Sequence, residues 1–309
     1  ISGVYQRGTH RVVPVQGCLI EDPRADRIIQ TIVAMIPRYK LRIYNENTHR
    51  GFLRHVMVRT GQVTGQIMVI LVATASEFPG GKAFVQELTE KHPEITTVVL
   101  NVNQKETSMV LGTKDIALFG PGYMEDELLG KRFRISPQSF YQVNARQTEI
   151  LYQTAIDFAN LTGKETLLDA YCGTGTIGLS MADKAREIVG IEIVEEAVRC
   201  AAENAERNGV ENAYFYCGDA SDAEKLLENA ENAHGKIENA TVILDPPRKG
   251  STPELITYLA KRNFNRVVYV SCGAPTLARD AKLLTEGGYA AEKVQCVDMF
   301  CWTGAVETV

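Results

Sequence analysis

This 309-residue chain lacks several features, and each absence narrows what it can be. No apolar run reaches about 18 residues, so no membrane-spanning helix is expected, and no signal peptide is visible. No two of its cysteines (Cys18, Cys172, Cys200, Cys217, Cys272, Cys296, Cys301) have the Cys-x-x-Cys spacing that suggests zinc. Their odd, scattered set suits a reducing cytosol, so a cytoplasmic protein is expected. Internal repeats and low-complexity tracts are missing too, and the net charge is only −5. That charge is uneven. Residues 1–145 carry 17 Lys and Arg against 13 Asp and Glu, while the remainder carries 16 against 25. An indiscriminate nucleic-acid binder is disfavoured, yet a basic surface on the first half is permitted. The chain opens on Ile1 rather than Met, so a longer parent sequence is expected.

What is present is organised around Leu167-Leu168-Asp169-Ala170-Tyr171-Cys172-Gly173-Thr174-Gly175-Thr176-Ile177-Gly178. An apolar run enters a loop with three glycines, and a helical pattern follows. Glycines let the backbone turn sharply and approach a ligand, and the helix behind presents free N–H groups. Glu192 lies about 20 residues on, at the end of a second apolar run, where a carboxylate can accept bonds from ribose hydroxyls. The pattern indicates an adenosine-type cofactor, the alternative being a structural glycine turn.

In chain order, 11–15 is strand-like, and residues 24–39 set Ile28, Ile29, Ile32, Val33 and Ile36 on one helical face. Residues 53–60 and 66–73 flank a glycine turn and predict a hairpin. A helix over 82–91, a strand over 96–101 and short strands near 116–119 and 132–136 follow. From an amphipathic helix over 144–161, with Asn144 as candidate cap, strand and helix alternate. Strands are expected at 166–170, 187–192, 213–217, 241–245, 266–271 and 293–298. Helices are expected near 176–184, 195–208, 222–229, 253–263 and 275–286. This predicts an α/β protein with a doubly wound, mostly parallel sheet over 144–309, preceded by an α+β domain over 1–143.

Ligands of such sheets sit at the carboxyl ends of the strands. Reading those ends gives Asp169, Glu192, Asp219, Asp245 and Cys272. A pyrophosphate cofactor prefers cationic or neutral surroundings, whereas S-adenosylmethionine has no phosphate and carries a sulfonium cation that carboxylates tolerate. Methyl transfer is therefore preferred over nicotinamide chemistry. In Asp245-Pro246-Pro247-Arg248-Lys249-Gly250, the prolines stiffen a loop that fixes Asp245 at the cofactor–substrate boundary, although Pro-Pro also simply ends strands. Arg248 and Lys249 are placed to meet a phosphate or to be solvated charges. Cys272 falls just before a helix start, where a thiolate is favoured, and is read as a nucleophile rather than a buried thiol. Cys172, Cys200 and Cys217 fit the buried reading. Glu307, among alternating apolar and small residues of a last strand, faces either the site or solvent.

Together these residues resemble the RNA 5-methyluridine methyltransferases, particularly the bacterial 23S rRNA (uracil-5-)-methyltransferases. The matching strings are Ser136–Asn144, Leu168–Leu179, Asp245–Gly250, Ser271 through Asp280, and Val306-Glu307. The resemblance implies a class I S-adenosylmethionine-dependent, Rossmann-like catalytic domain. Gln142, Tyr171, Gly173, Thr176, Glu192, Asp219 and Asp245 would contact the cofactor, with Cys272 as nucleophile and Glu307 as base. Phe140 would stack on an RNA base, core packing being the alternative, and Arg132, Arg248 and Lys249 would meet RNA. The expected partner is ribosomal RNA, its uridine flipped from the stack, and the protein a monomer. Members of the family often begin with a small RNA-binding β-barrel, and some hold a 4Fe–4S cluster on four cysteines. The barrel and three of those cysteines do not occur here. Cys18 resembles the fourth, as a remnant ligand or a buried thiol, and no metal is expected. Ala305 stands where family members often have His, and Gly273-Ala274-Pro275 where they have Asn-Pro. The other readings are 5-methyluridine formation in tRNA and a non-catalytic RNA-binding or assembly factor.

Overall fold

The structure, a computed structural model, describes residues 2–6, 8–9, 11–15, 17–107 and 109–309. They form two compact units: Ile1–Glu127 with Arg134–Gln138, and Leu128–Phe133 with Ser139–Val309.

The first unit opens with a two-stranded antiparallel ribbon, β1 (Gly3–Tyr5) and β2 (Val12–Pro14). Helix α1 (Pro23–Arg38) starts where Asp22 accepts the Arg24 N–H at 2.8 Å, with Pro23 at its first position. Its Ile28, Ile32 and Met35 are fully buried, each stabilising the fold by about 1.5–3 kcal/mol relative to exposure. A four-stranded sheet follows from β3 (Leu53–Thr60), β4 (Ile67–Ala73), β5 (Ile95–Val102) and β6 (Lys114–Phe119), in that spatial order. Between β4 and β5 the chain crosses over through α2 (Gly81–Lys91), so that pair alone is parallel. Next comes β7 (Met124–Leu128), which the sequence pattern did not predict. Its inward position is taken by a carboxylate, Asp126, which accepts the N–H groups of Gln62, Val63 and Thr64 at 3.0–3.2 Å and so closes the β3–β4 turn. A strand whose core-facing residue is charged has no apolar alternation to betray it. β8 (Lys131–Ile135) pairs with β7, and the division between units falls within it.

The second unit is built on β9 (Thr166–Asp169), β10 (Glu187–Glu192), β11 (Ala213–Cys217), β12 (Ala240–Leu244) and β13 (Arg266–Tyr269). All pairings among them are parallel, in the order β11-β10-β9-β12-β13. The chain winds outward from β9 to β11, then returns to the other side of β9, leaving a topological switch point between β9 and β12. Helix α3 (Ala145–Ala159) precedes the sheet, with Asn144 Oδ1 accepting the Gln147 N–H at 3.3 Å. The connecting helices are α4 (Thr176–Ser180), α5 (Glu195–Arg207), α6 (Ala223–His234), α7 (Pro253–Arg262) and α8 (Ala274–Glu286).

Three expected elements differ. The helix expected near 222–229 runs on as Ala223–His234, with Ala230 still buried beyond the expected end. The helix over 176–184 ends at Ser180 and continues as a 3-10 turn over Ala182–Lys184, Gly178 being a poor helix former. The strand over 293–298 shrinks to β14 (Cys296–Val297), which pairs antiparallel with β15 (Glu307–Thr308) outside the parallel sheet. Residues 290–296 are all exposed, so Val297 is the one apolar member of the 293–298 run that reaches the core. Cys172 and Cys200 are buried as expected, but Cys217, the last residue of β11, is exposed.

Candidate active site

Each parallel strand delivers its last residues to the same rim. After β9 the chain turns through Gly173, whose φ of +54° suits glycine and whose missing side chain leaves open space. The Gly173 N–H donates to Glu192 Oε2 at 3.1 Å, and Val194 N–H donates to Oε1 at 2.9 Å. Glu192 is thus held at the end of β10 facing the glycine turn, with lone pairs left for further donors.

Asp169, at the end of β9, is buried. Its Oδ2 accepts the Gly178 N–H at 3.2 Å, while Oδ1 has no hydrogen-bond partner among the described residues. Burial pushes its pKa up to about 7, against the pull of that N–H. Asp245, after β12, keeps part of its surface open, yet burial first, then the Asp169 and Glu307 charges, push it up to about 8. Two carboxyls so raised, one with an orphan oxygen, suit a cationic ligand that would relieve their mutual repulsion. They also bear on stability. A carboxyl that is protonated in the folded state up to pH 7 or 8 but ionises near 4 when unfolded makes the folded state hold more protons between those values. Stability therefore falls as pH rises through that window. Asp245→Asn is expected to leave about half of that slope. Thermal melts of both proteins from pH 5 to 8 check it, and parallel slopes would refute it.

Cys272 lies in the loop between β13 and α8, half-buried. Its neighbour Ser271 pairs with Thr308 through two backbone bonds, of 2.8 and 2.9 Å, which brings β15 alongside that loop. Glu307 is only 5% exposed on β15, and burial raises its pKa against the Arg248 charge. The expectation that the helix start favours a Cys272 thiolate is corrected. Burial, with the Glu307 carboxylate next, raises the thiol's pKa, Arg248 pulls it down, and Asp245 adds to the rise. These four groups share one small electrostatic neighbourhood.

The loop bearing Asp245 and Arg248 is clamped to the one bearing Cys272, chiefly by residues to which the sequence pattern assigned no role. Asp280 of α8 is fully buried, and its Oδ2 accepts the Ser251 N–H at 2.7 Å and the Tyr269 hydroxyl at 2.6 Å. Its Oδ1 takes the Arg279 guanidinium at 2.7 Å, which itself donates to the carbonyls of Lys249 and Ser251. Thr276 Oγ1 donates to the Arg248 carbonyl at 3.3 Å, and Tyr171 meets Ser251 at 3.1 Å across the switch point. Gly250 is required here: its φ is +79°, and an added Cβ would stand 2.5 Å from the Arg279 guanidinium. Asp280→Ala would strand several buried donors at once, at a cost of about 3 kcal/mol or more. A urea midpoint indistinguishable from that of the unsubstituted chain would contradict this.

The remaining candidates distribute as follows. Thr176 opens α4 and shares a 3.1 Å bond with the Tyr152 hydroxyl, whose pKa is raised by burial and then by Asp245 and Asp169. Gln142 is half-buried just before α3. Asp219 accepts the Ser221 N–H at 2.8 Å, the chief cause of its lowered pKa, and Lys249 lies close enough to lower it further. Phe140 is 73% exposed, which removes the core-packing alternative. Arg132 does not join the group. Its N–H and carbonyl bond the Asn208 side chain at 2.8 and 2.7 Å, at the carboxyl end of α5, hence at the opposite rim of the sheet. Cys18 is half-buried, its N–H donating to Asp26 Oδ2. Among the described residues no helix is long and apolar enough to cross a membrane.

With this geometry in view, the likenesses to known proteins are informative. A family model described as tRNA (Uracil-5-)-methyltransferase matches residues 114–309. An uncharacterized RNA methyltransferase of Bacillus cereus is 42% identical over 309 residues, covering 100% of this chain and 66% of that protein. One of Halalkalibacterium halodurans is 42% identical over 311 residues, with the same shares. The chain thus spans just under two thirds of the length of these relatives. The crystal structure of Pyrococcus abyssi tRNA (uracil-54, C5)-methyltransferase in complex with S-adenosyl-L-homocysteine superposes with a TM-score of 0.79 at 26% identity. That likeness covers 99% of this chain and 71% of the other.

Proposed function

Because the chain belongs to the tRNA (uracil-5-)-methyltransferase family, we propose that it methylates C5 of a uridine in RNA with S-adenosylmethionine as donor. We place that uridine in 23S ribosomal RNA, and the enzyme in the cytoplasm as a monomer. Its second unit has the Rossmann-like fold of class I methyltransferases. The observation that carries the reading is the pairing of Ser271 with Thr308, which sets Cys272 and Glu307 on adjoining stretches beside Asp245 and Arg248.

Glu192 would receive the ribose hydroxyls of the donor, Gly173 would admit it closely, and Asp169 and Asp245 would balance its charge. Gln142, Tyr171, Thr176 and Asp219 would complete its contacts. When bound, the donor supplies a methyl group on a positively charged sulfur. Uracil C5 is a poor nucleophile until something adds at C6. The Cys272 thiol, half-buried and so open to water, gives its proton to solvent and its sulfur bonds to C6. The C5–C6 π pair shifts onto the C4 carbonyl as an enolate, which places electron density at C5. Once C5 has been methylated, Glu307 removes its proton, the C5–C6 double bond re-forms and the Cys272 sulfur leaves. Arg248, exposed and close to both groups, supports the anionic forms of each.

The test is to incubate the chain with methyl-labelled donor and total RNA from a strain lacking uridine C5 methylation. Labelled 5-methyluridine in 23S RNA is expected. Label confined to tRNA would establish the second reading, which the likeness to the Pyrococcus abyssi enzyme favours. RNA bound without label would leave a non-catalytic factor.

A further inference from the structure

We propose that Trp302 is a stacking platform for an unpaired RNA base next to the target uridine. The inference rests on the RNA reading above and extends it to a contact outside the reacting atoms. Trp302 is the chain's sole tryptophan. Its side chain is 97% exposed, and its φ is +67°, a backbone region that bulky residues rarely adopt. The turn that carries it is built: Thr303 donates to the Phe300 carbonyl through N–H at 3.1 Å and Oγ1 at 2.7 Å, and Ala305 N–H donates to Thr303 Oγ1 at 3.1 Å. Phe300 packs partly into the core beneath, so the turn has one aromatic anchored inward and the next held outward.

Position supplies the occupant. The turn joins β14 to β15 and runs within five residues into Glu307. Its base is tied to the segment bearing Phe140, since Asn144 Nδ2 donates to the Met299 carbonyl at 3.0 Å. Two strongly exposed aromatics therefore lie within four residues of one tie between two stretches of chain, and Trp302 is five residues from Glu307. Residues 299–306 include no acidic side chain, with the exposed Asp298 bordering them, and Arg248 and Lys249 are exposed on the neighbouring loop, so a polyanion meets two cations and aromatic faces there. Single-stranded RNA is held by just this combination, and stacking accepts any base. A uridine extracted from its stack leaves a flanking base without a partner, which an indole face can replace.

Because Trp302 is the sole tryptophan, its emission reports the contact directly. Titration with a nine-nucleotide single strand of alternating adenosine and uridine is expected to quench it saturably. With unmodified 23S RNA as substrate, Trp302→Ala is expected to raise KM about tenfold with kcat within twofold, and Trp302→Phe to restore most of the affinity. Unchanged emission when filter retention shows the strand bound, or an unchanged KM in Trp302→Ala, overturns the platform. Saturable quenching in a chain that makes no 5-methyluridine would instead remove the methylation reading and leave the RNA contact standing.

Discussion

Cys272→Ala is expected to lower uridine methylation by roughly 10⁴-fold or more, as loss of a catalytic nucleophile does elsewhere, with thermal stability close to that of the unsubstituted chain. The magnitude follows from the chemistry. Without addition at C6 the pyrimidine offers C5 almost no electron density, and no other group in the Cys272 neighbourhood is a nucleophile of comparable strength. The stability expectation follows from the site: the side chain is half-buried in a loop whose geometry depends on Thr276, Arg279 and Asp280 rather than on the sulfur. Cys272→Ser should fail as well, its hydroxyl being far less ionised than a thiol even when burial has raised the thiol. Single-turnover incorporation of labelled methyl groups provides the measurement. Retained turnover would remove the covalent mechanism.

Glu307→Gln should have a smaller but still large effect, at a different step. The first methyl transfer proceeds, but the C5 proton has no acceptor, so the protein stays bonded to RNA and release slows by about 10²–10⁴-fold. A slow-migrating species on a denaturing gel is the expected sign, and its absence would count against Glu307 as the base. Electrostatics works in favour of trapping. The Glu307 charge is the leading charged influence that raises the Cys272 thiol, so its removal lowers that pKa and eases addition at C6. A pH effect accompanies this. Burial raises the Glu307 pKa, so the acid form persists to higher pH than for a free glutamate and proton removal weakens as pH falls. Release by the unsubstituted enzyme should therefore slow on acidification, a dependence that Glu307→Gln should lose.

The legible part of this protein was local in origin. Glycines in strand–loop–helix context, an acid about 20 residues later and strict alternation of strand and helix each arise from rules spanning a few residues. They located α3, β9 through β13 and, apart from the ends of α4 and α6, their helices closely. The 293–298 run misled because apolar residues alone do not say how many of them a core faces, and here Val297 alone is buried. β7 was missed because Asp126 sits where an apolar residue was expected, its carboxylate satisfied by three N–H groups more than 60 residues away.

The amino-acid order alone therefore determined the fold class and which residue types stand at the carboxyl ends of the parallel strands. Folding decided the rest. It sent Arg132 to the opposite rim, buried Asp280 as the clamp between two loops, turned Phe140 and Trp302 outward and raised the Cys272 thiol. The reason is physical: helical and strand periodicity is a short-range property of the chain. Burial and charge are instead set by groups that meet only after residues tens of positions apart have packed, as Cys272 does with Glu307 and Arg248.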